Sequence, residues 1–137
     1  MVTTTSSLLL NDTYFSYWLT FVALFRGFSI VTGYIRPQII TKNVYSKKKE
    51  PLDPLFGRMF ANWTGGSICA CLILALYPQS LPMHYMNLCA FAIALGHALL
   101  EFGYFKTMSF VNASPMFFFA GSSLAWVMSR VMSGKLM

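Results

Sequence analysis

The sequence predicts an all-α integral membrane protein, a four-helix transmembrane bundle, and three observations carry that prediction. Apolar residues make up 56% of the 137-residue chain and charged residues 10%, against about 45–50% and about 25% in ordinary soluble domains. So little charge cannot coat a water-soluble globule of this size. Four apolar stretches, 15–35, 56–77, 83–105 and 110–131, run for 21 to 23 residues each, and about 20 residues of helix at about 1.5 Å per residue cross the roughly 30 Å hydrocarbon core. No stretch alternates polar with apolar residues over about ten positions, as membrane strands do. The chain reads as a single membrane domain, residues 1–137, with one long basic loop at 36–55.

Residues 1–13 read as a short polar tail. The apolar run that begins at Leu8 lacks the positively charged flank of a secretory signal and the Arg-rich amphipathic pattern of a transit peptide, so the first helix is expected to be an uncleaved anchor. It carries Arg26 in its middle and a Ser29–Gly33 pair of small residues four apart. Similar pairs occur in every predicted helix: Ala61–Gly65 and Gly66–Ala70, Ala92–Gly96, and Gly121–Ala125. Small residues at this spacing let membrane helices approach closely. Tyr14, Tyr17, Trp18, Tyr34, Tyr77, Tyr85 and Tyr104 fall near the helix ends, where amphipathic rings form a belt at the headgroups.

The loop between the first two helices is the main charged feature. Arg36, Lys42, Lys47, Lys48 and Lys49 lie in it, Arg58 follows at the start of the second helix, and Lys106 sits in the turn between the third and fourth. The other end has Arg130 and Lys135. Lys and Arg are retained on the cytoplasmic or matrix side during insertion, so seven against two places both termini on the lumenal or intermembrane side. The net charge of +6 does not point to nucleic acid, because the basic groups share one juxtamembrane loop and do not line a groove with stacking aromatics. Anionic headgroups suit them better, at about 1 kcal/mol per basic residue near such a surface.

Three ionisable residues fall inside predicted helices: Arg26, His97 and Glu101. Charges at that depth cost about 2.5–3.5 kcal/mol on insertion scales and are seldom left unpaired. His97 and Glu101, four apart, share a helix face. Counted from the basic side, Arg26 and His97 are nearly level. An intramembrane polar cluster of Arg26, His97 and Glu101 is therefore expected, clasping the first helix to the third.

Catalytic chemistry is absent from the pattern. Two histidines, His84 and His97, are too few for a membrane di-iron oxidase. Cys69, Cys71 and Cys89 do not make a zinc site, since Cys69 and Cys71 at i and i+2 point to different faces and a structural site needs four converging ligands. Neither Gly-x-Ser-x-Gly nor a phosphate-cradling glycine loop occurs. No catalytic residue, metal site or cofactor is expected.

Three segments carry a resemblance. Lys42-x-Val44-Tyr45-x-x-Lys48, then Arg58-x-Phe60-x-x-Trp63-Thr64, then Ala94-Leu95-Gly96-His97-x-x-x-Glu101-x-x-x-x-x-Thr107 occur in order, and Ser123-Leu124-Ala125-Trp126 continues them. Together they resemble the ergosterol biosynthetic protein 28 family over about residues 17–130. One departure is Cys71, where that family usually has a second Arg. The resemblance implies a small endoplasmic-reticulum membrane scaffold that is not an enzyme. Its partners would be the sterol C-4 demethylation enzymes: a C-4 methyl oxidase, a 3β-hydroxysteroid dehydrogenase/decarboxylase and a 3-keto reductase. Tyr45, Lys47, Lys48, Arg58, Trp63 and Thr64 are then the expected residues for docking partners or lipid. The alternative is an accessory transmembrane subunit of a large complex, such as a respiratory complex or ATP synthase of the mitochondrial inner membrane. A sterol-binding carrier is a third reading, resting on the apolar helices and aromatics alone.

Overall fold

A computed structural model of the chain describes residues 2–50, 53–134 and 136. Five helices follow one another: α1 (Val2–Ile35), α2 (Pro37–Asn43), α3 (Pro54–Leu76), α4 (Leu81–Leu99) and α5 (Phe110–Met132). A single π-helical turn, Leu100–Tyr104, extends α4. The described residues contain no strand. Four helical spans, Asn11–Ile35, Pro54–Leu76, Leu81–Tyr104 and Phe110–Met132, are long and apolar enough to cross a membrane. Their outward side chains suit lipid: Leu24, Leu76 and Val111 are 72%, 74% and 77% exposed.

Proline and caps set the helix starts. Pro37 and Pro54 occupy the first position of α2 and α3, and Pro82 the second of α4, where a missing N–H costs nothing. Asp53 accepts the Leu55 N–H at 2.6 Å, and Ser109 accepts the Asn112 N–H at 3.3 Å, each satisfying a donor that the first turn leaves free. Pro115 lies inside α5 and cannot bond the Val111 carbonyl; the Ser114 hydroxyl donates to that oxygen instead, at 2.9 Å. In lipid, where a bare carbonyl is costly, this keeps the helix intact.

The structure differs from the sequence reading in three places. Residues 2–13, expected as a tail, continue α1, because Asp12 is held by α5 at the far end of the bundle. The loop 36–55 contains α2, started by Pro37 and fastened by Ile40, which is buried with Tyr45, Phe60, Met108 and Ala113. Of the residues in the small-residue pairs, Gly33 and Ala61 serve one close crossing. A Cβ on Gly33 would stand 2.6 Å from the Gly57 oxygen and 2.7 Å from the Ala61 Cβ. Gly66, Gly96 and Gly121 face open space, because larger side chains such as Phe91, Leu74 and Val127 fill the interior. Helix α1 thus packs chiefly on α3 and α4 on α5, with α3 and α4 completing the bundle. The six tyrosines of the expected belt are exposed; Trp18 turns inward and donates to the Ser123 hydroxyl at 3.0 Å.

Candidate functional site

The three hallmark segments, which lie far apart in sequence, meet at the basic end of the bundle. The last turn of α2 carries the chain inward: the N–H groups of Val44 and Tyr45 both bond the Ile40 carbonyl. Tyr45 is thereby 4% exposed, and its hydroxyl lies 2.8 Å from His97 Nε2. His97 Nδ1 stands 4.0 Å from the Glu101 carboxylate, and Thr107 donates to that carboxylate at 2.5 Å. Trp63 meets the His97 ring edge-on at 5.8 Å, and Phe56 meets Tyr45 in the same way at 5.7 Å. With Nδ1 turned to the carboxylate, the tautomer that suits both neighbours carries its proton on Nδ1 and accepts the Tyr45 hydroxyl at Nε2. Burial, and secondarily the Glu101 carboxylate, push the Tyr45 phenol above its ordinary pKa, so it stays a neutral donor.

Two further bonds fasten the loop. The Lys47 N–H donates to the Thr107 carbonyl at 2.9 Å, and the Asn112 amide to the Asn43 carbonyl at 2.7 Å. The π turn makes the first possible: its wider coil brings Phe105 N–H to the Leu100 carbonyl, and Thr107 and Met108 N–H both to that of Glu101. The chain then leaves through Lys106 at φ 55°. A π turn of this kind often marks a functional position. Outside the clasp, Arg36, Lys42, Lys47, Lys48, Lys49, Arg58 and Lys106 are all exposed. Chemically the arrangement is a hydrogen-bonded clasp, built on one carboxylate, beneath a dense positive surface.

Among the expected site residues, His97 and Glu101 come together, joined by Tyr45 and not by Arg26. Arg130–Asp12 is an ion pair among the described residues, whereas His97, as neutral imidazole, stands 4.0 Å from the Glu101 carboxylate. Arg26 stays apart because α1 packs on α3 rather than on α4, with Trp63 of α3 against the His97 ring. Lys47, Lys48 and Arg58 are exposed, whereas Tyr45 and Thr64 are buried and Trp63 is half-buried. Tyr45 and Thr64 thus face the interior, and Trp63 does so in part.

A second polar centre, at the opposite end, escaped the sequence reading. Arg130 donates to Asp12 at 2.6 Å, to the Pro78 carbonyl at 2.8 Å and through Nε to His84 Nε2 at 3.3 Å. Its guanidinium lies 4.5 Å above the centre of the Phe15 ring. Gln79 also donates to Asp12, and His84 Nδ1 to the Ser80 carbonyl. The available signal was a lone acid, Asp12, at one end of the first apolar stretch and a lone base, Arg130, at the matching end of the last.

Comparisons with known proteins agree on one relationship. The profile of a family described as Erg28 like protein matches residues 15–125. The chain is 30% identical over 112 residues to Ergosterol biosynthetic protein 28 of Arabidopsis thaliana, covering 82% of this chain and 85% of that protein. It is 34% identical over 91 residues to Ergosterol biosynthetic protein 28 of Candida albicans, covering 66% and 65%. No solved structure shows a significant match.

Proposed function

The chain belongs to the Erg28 like protein family, and from that premise we propose that it is a non-catalytic scaffold of sterol synthesis. In this reading it holds the C-4 methyl oxidase, the 3β-hydroxysteroid dehydrogenase/decarboxylase and the 3-keto reductase together at the endoplasmic reticulum membrane. The names of the relatives support the link to sterol synthesis. The observation that carries the scaffold reading is the use made of the hallmark residues. Tyr45, Trp63, His97, Glu101 and Thr107 are spent on one another to hold a loop, and the buried Tyr45 hydroxyl is out of reach of any substrate proton. What the clasp presents outward is positive charge, suited to the acidic faces of partner enzymes and to anionic headgroups. The same charge places the loop on the cytoplasmic side and both termini in the lumen.

Affinity capture of the full chain from detergent-solubilised endoplasmic reticulum tests this. The three enzymes are expected to co-purify, and a Lys47→Glu, Lys48→Glu, Arg58→Glu variant to lose at least half of the captured enzyme while remaining membrane-inserted by protease protection. Capture of respiratory or ATP synthase subunits in their place would overturn the proposal in favour of an accessory-subunit role.

A further inference from the structure

Arg26 lies nine residues, about 13 Å, inside the end of α1, and among the described residues it forms no ion pair and no hydrogen bond through its side chain. Arginine keeps its proton at any pH a protein meets, and charges inside a membrane are normally paired. Other ionisable groups in the bundle have polar partners: Arg130 has Asp12, and Glu101 accepts from Thr107 with His97 beside it. Arg26 instead lines a cavity of about 210 Å³. Its walls are mainly apolar, with Phe91, Phe119 and Trp63 prominent, and Asn43 and Asn112, bonded to each other, lie toward the basic end. Phe25, 53% exposed on the lipid-facing side, meets Phe119 at a tilt with ring centres 4.8 Å apart. Helices α1 and α5 do not pack closely, so side chains alone close the seam between them at this level.

We propose that this cavity binds an anionic amphiphile, a slim apolar chain ending in a carboxylate or phosphate, with the acid group on Arg26. Charge complementarity chooses the head, since a cation in an apolar wall is matched by an anion that forks onto two guanidinium N–H groups. Size chooses the body. Sites that enclose a whole drug-sized ligand hold about 300–1,000 Å³, so this smaller cavity takes the head and its neighbouring carbons, and the rest of the chain leaves past Phe25 into the bilayer. The cavity borders the clasp through Trp63 and the Asn43–Asn112 bond but does not include Tyr45, His97 or Glu101, and the proposal is independent of the scaffold reading.

Native mass spectrometry of the full chain in detergent, titrated separately with oleate, oleoyl lysophosphatidate and methyl oleate, tests it. The wild type is expected to bind at least one acid about tenfold or more tighter than the neutral ester, as hydrogen bonds to charged groups allow. The acid held more tightly identifies the head as carboxylate or phosphate. Arg26→Gln should reduce that preference below about twofold without weakening methyl oleate binding, and Arg26→Lys should keep most of it. Ala120→Phe, which fills the cavity and leaves the charge in place, should weaken acid and ester alike, and it decides the matter if the Arg26→Gln chain fails to fold. Equal binding of acid and ester by the wild type overturns the proposal. So does an acid preference that survives Arg26→Gln, or wild-type acid binding in Ala120→Phe.

Discussion

At the scale of single residues, Tyr45 shows how a side chain that looks like a surface feature becomes internal. In sequence it stands among lysines; in the fold it is buried and bonded to His97. Replacing it with Phe keeps the ring contacts and removes one hydrogen bond, for an expected loss of about 1 kcal/mol at neutral pH. The effect of pH has a definite sign. The folded phenol has a raised pKa, so the stability it confers is complete below the ordinary value of about 10 and is lost as pH climbs from there toward the folded value. Unfolding in detergent at pH 8 and pH 11 should therefore show a steeper alkaline decline in the wild type than in Tyr45→Phe. Parallel declines would mean that Tyr45 is not buried in its neutral form. Lys47 and Lys48, two and three residues further on, point outward as their charge demands, and the sequence made that legible. It could not show that Tyr45 turns in, because the turn depends on Ile40 being buried and on the Thr107 carbonyl receiving the Lys47 N–H, both distant facts.

At the scale of helices, length and composition located all four spans, with α3, α4 and α5 starting within two residues of the expected 56, 83 and 110, whereas α1 begins at Val2, well before the expected 15. Pairing was less legible. Small residues four apart occur in every apolar stretch, yet the close backbone crossing is at Gly33, Gly57 and Ala61. Periodicity alone does not say which face of a lipid-exposed helix meets another helix, since both faces are apolar. The expected joining of Arg26 to His97 and Glu101 is not seen for the same reason: Arg26 and His97 are nearly level by residue count, but α3 is the neighbour of α1. A direct contrast tests the crossing. A Cβ on Gly57 would sit 2.4 Å from that of Pro37, so Gly57→Ala is expected to destabilise the bundle by about 1–3 kcal/mol through overpacking. Gly66→Ala on the same helix meets nothing and should be neutral or mildly stabilising. Unfolding by denaturing detergent compares the two, and equal effects would contradict the observed packing of α3 at Gly57 against Pro37 and Gly33.

At the scale of the whole molecule, polar clusters pin the two ends of a bundle whose outer surface is apolar. Arg130, Asp12 and His84 join α1, α4 and α5 at the end bearing the termini, while the Tyr45–His97–Glu101 clasp holds the basic loop at the other. Family membership was legible because the hallmark segments keep their order and spacing, and in the fold one or more residues of each segment, Tyr45, Trp63, His97, Glu101 and Thr107, meet in one cluster. The Asp12–Arg130 centre was not legible, because 118 residues separate its charges and helix packing alone brings them together. The scaffold reading has its most direct test in cells that lack this chain. Sedimentation of detergent-solubilised membranes should find the methyl oxidase, the dehydrogenase/decarboxylase and the 3-keto reductase in one heavy fraction when the chain is present. They should occupy separate lighter fractions when it is absent, each enzyme keeping its own specific activity. Enzymes that stay together without the chain, or a single reaction that disappears and returns with the purified chain alone, would contradict a scaffold role.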